Sequence, residues 1–134
     1  LYGDLNRKDS MKSILDQLIS MGGLSPSNKV EYANVYFREL EDTETAISIL
    51  SELQKEYMKM ENIIKIKGFA SSSISTSNWN GWQKAFPDIV SSLVYIYKTT
   101  NQYLEAETVL VDWIARFPND SNAKNLLEEV RKPK

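Results

Sequence analysis

One stretch of the chain has little choice of conformation. Ala46, Leu50, Leu53, Tyr57, Met60 and Ile64 follow one another at steps of 4, 3, 4, 3 and 4. Residues at that spacing share one face of an α-helix, whereas a strand would scatter them over both faces. The spacing therefore predicts a long amphipathic third helix, opened at Thr43 and closed at Gly68. A free coiled coil needs a longer run of heptads, so this helix is expected to pack on neighbours.

The same rhythm extends to most of the sequence, and there are only five glycines and four prolines to interrupt it. An all-α fold of about six helices follows. Met11, Ile14, Leu15, Leu18 and Ile19 predict a first helix over Asp9 to Met21, stopped by Gly22 and Gly23. A second is expected over Asn28 to Leu40, with Ser27 or Asn28 as its cap and "SPSN" as a loop. Glu41-Asp42-Thr43 breaks it, and Thr43 is the expected cap of the third. The stretch "FASSSISTS" has no helical rhythm. Asn78 is expected to cap a short turn carrying Trp79, Trp82 and Phe86, and Pro87 suits the first position of the fourth helix. "TTNQ" marks a turn. A fifth helix ends at Pro118, and a last one, about 120–131, is capped by Asp120 or Ser121.

Composition removes several function classes. With no cysteine and no histidine, thiol chemistry, disulfides and the usual catalytic triads are excluded. A net charge of −2 lacks the basic excess of a nucleic-acid binder. Lys55, Lys59, Lys65 and Lys67 are interleaved with Glu52, Glu56 and Glu61, an ordinary charged helix face. No apolar run approaches the roughly 20 residues that cross a bilayer. The absence of cysteine fits cytoplasm or periplasm and chooses neither. The chain opens at Leu1 without an initiator methionine or signal peptide, so it is expected to be the C-terminal piece of a longer protein.

Little else points to chemistry. Ser71 to Ser77 near Lys67 or Lys84 form a weak Ser–Lys candidate, and a solvated polar loop is the expected reading. Glu39, Glu41, Asp42 and Glu44 cluster at one turn but lack the alternating ligands of a calcium loop. No glycine-rich phosphate loop occurs. Asn119 opens an N-x-S acceptor pattern that reads better as the approach to a helix cap. No catalytic, metal or cofactor residues are assigned.

The chain does repeat itself. Phe37 precedes Ala46 by nine residues, and Tyr97 precedes Ala106 by the same nine. Leu50 and Leu110 each follow the alanine by four. An aromatic near the end of one helix fills the space beside a tight turn, and the alanine lets the second helix come close. This pattern resembles the tetratricopeptide repeat, a helix–turn–helix unit of about 34 residues. Leu93, Tyr97, Ala106, Leu110 and Pro118 match its pattern in the second copy, while Val94 and Trp113 depart from it. Ala33, Asn34, Phe37, Ala46 and Leu50 match in the first, which has Met58 where proline is usual. The first helix with Pro26 looks like the back half of a preceding repeat, and the last helix like a solenoid cap. The copies, about 28–58 and 87–118, lie 60 residues apart, which leaves about 26 more than one repeat. The extension of the third helix and an insertion at about 67–80 account for them.

The resemblance implies antiparallel hairpins stacked as a short right-handed superhelix, in a single domain over 1–134. It implies a noncatalytic module binding a peptide or protein partner in a groove lined by the first helices of each hairpin. Groove positions are Glu31, Val35 and Arg38 from one copy and Ser91, Tyr95 and Lys98 from the other. Tyr32, Tyr36, Tyr95 and Arg38 are the candidate anchors. The lysines and asparagines of the carboxylate-clamping subclass are missing, so that mode is not implied. Two alternatives remain open. The segment is a structural module packing on its own larger parent, such as a bacterial membrane or envelope enzyme. Or Trp79 and Trp82 stack on a sugar ring whose hydroxyls bond Asn78, Asn80 and Gln83. The spacing of Trp79, Trp82 and Phe86 favours burial of these rings over exposure.

Overall fold

A computed structural model describes the backbone of residues 2–68, 70 and 74–132, and the side chains among them from residue 7 onward. It is all-helical: α1 (Tyr2–Met21), α2 (Pro26–Arg38), α3 (Thr43–Lys67), α4 (Thr76–Thr99), α5 (Tyr103–Arg116) and α6 (Ser121–Arg131). Two compact units divide the chain, Leu1–Ile89 and Val90–Lys134. Helix α4 runs across that boundary.

In the first unit the helix ends follow local chemistry. Gly22 and Gly23, at φ +75° and +76°, leave α1 through the left-handed region that glycine enters without a Cβ clash. Ser25, not Ser27 or Asn28, caps α2. Its hydroxyl accepts from the Asn28 N–H at 3.2 Å, with Pro26 as the first helical residue. Asp42, rather than Thr43, caps α3. One carboxylate oxygen accepts the Thr45 N–H at 3.2 Å and the other the Thr45 hydroxyl at 2.7 Å. Glu44 in the first turn of α3, and Lys65 and Lys67 in the last, complement the helix dipole. Gly68, at φ +71°, ends the helix where the sequence places its end.

Two expectations are corrected here. Helix α1 begins at Tyr2 rather than Asp9, because the apolar rhythm that marks its second half does not reach its first. The fourth helix opens at Thr76, with Ser75 in the capping place: its hydroxyl accepts from the Asn78 N–H at 3.0 Å. Pro87 therefore sits inside α4 instead of starting it. A proline inside a helix removes one hydrogen bond and costs roughly 3 kcal/mol. Trp79, Trp82, Ala85, Phe86, Ile89 and Val90, on both sides of it, are all buried, and their packing offsets that cost. The segment between α3 and α4 is 68–75, of which residues 69 and 71–73 lie outside the described residues.

The core of the first unit is the α2–α3 hairpin with the start of α4. Ala33, Tyr36, Ala46 and Leu50 have no exposed surface. Tyr57 on α3 stacks on Trp79, with ring centroids 5.0 Å apart, and meets Phe86 at 4.4 Å. Helix α1 adds the buried Leu15 and a polar seam. The Tyr36 hydroxyl donates to Asp16, Lys12 lies 3.5 Å from Asp42, and Lys8 lies 3.8 Å from Glu41.

In the second unit the end of α4 turns into α5 through 100–102, and α6 closes on both. Leu93, Val94, Ile96, Ala106, Leu110 and Trp113 form its interior. Asp120 caps α6 by accepting the N–H groups of Asn122 and Ala123 at 3.0 and 3.2 Å. Lys98 pairs with Glu129 at 3.0 Å, and Arg131 with Glu107 at 3.1 Å, tying α6 to α4 and α5.

Candidate functional site

The residues expected to line a groove come from two helices in different units. On α2, Glu31 and Arg38 are exposed, and Tyr32 and Val35 are half-buried. Glu31, Val35 and Arg38 are spaced by 4 and 3, so they follow one stripe of the helix. Tyr36 requires a correction. It is fully buried and its hydroxyl is engaged by Asp16, so it holds α1 on the hairpin and is not an anchor for a partner. Burial, and then the Asp16 carboxylate beside it, push this phenol well above its ordinary pKa. On α4, Tyr95 is 56% exposed, whereas Ser91 and Lys98 are half-buried. Lys98 is also engaged by Glu129.

The tryptophans tell against a sugar platform. Trp79 and Trp82 are 8% and 7% exposed, and one face of Trp79 is covered by Tyr57. A ring that stacks on a sugar needs an open face. Asn78, Asn80 and Gln83 remain exposed on the same turns. In the loop before them Ser75 serves as a helix cap, and Ser71 to Ser73 lie outside the described residues.

The acidic turn is held by lysines. Lys8 faces Glu41 and Lys12 faces Asp42. The Thr45 hydroxyl holds the Asp42 carboxyl below the usual carboxylate range against the opposing pull of burial, with help from the Thr45 N–H and Lys12. Among the described residues, no group of three His, Cys, Asp or Glu side chains could hold a metal ion. None of the helices, over those residues, is long and apolar enough to cross a membrane.

One concave feature escaped the sequence reading. A hollow of about 240 Å³ lies beside α3, floored by Ile19, Ile49 and Leu53. Three helices build it, so no single periodicity announces it. The only hint in the sequence is Gly81, a glycine within a helical run, at the edge of an adjoining hollow.

No family model matches the chain, and no curated protein and no solved structure matches it either.

Proposed function

We propose that this chain is a noncatalytic helical-repeat module of the tetratricopeptide type. It binds a peptide or partner surface through the first helices of its hairpins. One observation carries the reading: the two hairpins bury equivalent positions over a shift of 60 residues. Val30 and Val90, Ala33 and Leu93, Tyr36 and Ile96, Ala46 and Ala106, Leu50 and Leu110, and Leu53 and Trp113 are all buried. The turns agree as well, since Glu41 and Asn101 both take positive φ, +55° and +62°. A repeated frame of this kind leaves the outward positions of α2 and of the end of α4 free to vary for recognition. The lack of histidine and cysteine supports the noncatalytic part.

The test is a photocrosslinking residue placed singly at Glu31, Tyr95 and Lys124, the last an exposed control on α6. A discrete adduct at Glu31 or Tyr95, absent at Lys124 and weakened by Arg38→Glu, is the expected result. Equal labelling at all three positions, or none, overturns the reading.

A second reading has its own support. On α5, Leu104 is 78% and Val111 48% exposed, while the equivalent positions of α3 are Glu44 and Ser51. An apolar stripe at a place where the sister hairpin is polar suits packing against further parts of a larger protein.

A further inference from the structure

The hollow beside α3 does not stand alone. A second hollow, of about 490 Å³, adjoins it and shares Lys29 and Glu56 as walls. Together they run along α3 from Ile49 to the first turns of α4, where Gly81 and the edge of Trp82 form the far side. All of these residues belong to the first unit. The floor of the first hollow is apolar: Leu53 is buried, and Ile19 and Ile49 are half-buried.

Two further observations say what fits there. Glu52 and Glu56 stand one helical turn apart on the rim, both exposed, so their carboxylates face the same space. Lys29 is the single opposing charge on these walls. Gly81 supplies the second observation. A glycine inside a helix costs about 1 kcal/mol relative to alanine. That cost normally reflects a neighbour that needs the space. Here a Cβ built on Gly81 meets nothing within 4 Å, and its φ is not in the left-handed region. The gap serves no contact among the described residues and leaves the helix surface bare of a side chain at the edge of the groove.

We infer that this groove binds a short peptide segment of a partner protein carrying an apolar side chain followed, one turn on, by lysine or arginine. The apolar side chain enters between Ile19, Ile49 and Leu53. The cation lies against Glu52 and Glu56, and the peptide backbone passes over Gly81. The site lies on the flank of α3, apart from the α2 stripe. It rests on the proposed reading of the chain as an interaction module.

The probe is a pair of fluorescently labelled helical peptides, one with leucine and arginine a turn apart, the other with glutamate in place of the arginine. Anisotropy titration of the whole chain is expected to show tighter binding of the arginine peptide by about fivefold, the scale of an exposed ion pair. Glu52→Lys with Glu56→Lys is expected to reverse that preference. Gly81→Leu is expected to weaken the arginine peptide at least about tenfold, equivalent to about 1.4 kcal/mol. Its melting temperature, followed by circular dichroism, should hold or rise. Equal affinity for the two peptides, no binding of either, or binding unchanged by Gly81→Leu overturns the groove. Concentration-dependent dimers abolished by Gly81→Leu would overturn it in favour of a second copy as occupant. Arg38→Glu separates the two proposals. Peptide binding lost there and kept in Gly81→Leu sinks the groove and leaves the interaction reading standing. Failure of the crosslinking test at Glu31 and Tyr95 with peptide binding intact sinks the α2 stripe as the binding face and leaves the groove standing.

Discussion

The α2–α3 hairpin and the hairpin made by the end of α4 with α5 bury the same frame with different chemistry. At the centre of the first hairpin stands Tyr36, whose hydroxyl needs Asp16; at the same place in the second stands Ile96, which needs nothing. Asp42 caps α3 with its side chain, whereas Gln102 precedes α5 without any side-chain cap bond. Leu53 in one is Trp113 in the other, and the buried Trp113 Nε1 has no hydrogen-bond partner among the described residues. The frame is thus set by volume and helix approach, which both hairpins satisfy. Polar detail is local, and in the first hairpin it serves to hold α1.

That comparison can be broken by mutation. The largest effect is expected at the shared frame. Leu50→Ala and Leu110→Ala each remove a fully buried side chain. Each is expected to cost about 2–5 kcal/mol in urea denaturation. A large loss at one site and a negligible loss at the other would show that the frame is not equivalent.

A smaller effect is expected where the hairpins differ. Tyr36→Phe removes the hydrogen bond to Asp16 and should cost roughly 1.5–3 kcal/mol, the range for bonds to charged groups. The raised phenol pKa fixes the pH dependence. Unfolded tyrosine ionises near 10.0, while the buried phenol holds its proton beyond that. This stabilisation is complete below about pH 10 and is lost as the pH rises further. Denaturation curves of wild type and Tyr36→Phe should therefore converge in that direction. Convergence on the acid side, with none on the alkaline side, would contradict the assignment.

The smallest effect concerns the caps. Asp42→Ala is expected to cost about 1 kcal/mol, and Gln102→Ala less than about 0.5 kcal/mol. Because the Asp42 carboxyl is held low, its contribution is present above about pH 4 and disappears as the pH falls through its lowered value. Thermal melts of both variants at pH 7 and at pH 3 read the contrast. Equal losses from the two caps at pH 7 would remove the distinction between the hairpins.

Much of the fold was legible residue by residue. The 4-3-4-3-4 run drew α3 to its glycine, and the alanines at 46 and 106 marked the close approach of paired helices. The start of α2 was less so: Ser27 or Asn28 was the expected cap, and Ser25 holds that place ahead of Pro26. The candidate site was less legible. Glu31 and Arg38 were placed outward as the helical spacing required, yet Tyr36, on the same helix, turned inward to Asp16, which lies 20 residues earlier in the chain. A tyrosine at a helical position reads alike as an anchor or as core until its partner is known.

Local sequence determined most of the helices, the cap at Asp120, and the single helix face shared by Trp79, Trp82 and Phe86. These depend on neighbours a turn or two away, and 3.6-residue periodicity records them directly. Tertiary structure alone decided that α4 passes through Pro87, because burial on both sides outweighs a lost hydrogen bond that the local rule treats as a stop. It alone decided which tyrosine faces the core, and that Ile19, Ile49 and Leu53 meet in one hollow. Those outcomes depend on side chains from helices far apart in the chain, whose approach no one-dimensional spacing encodes.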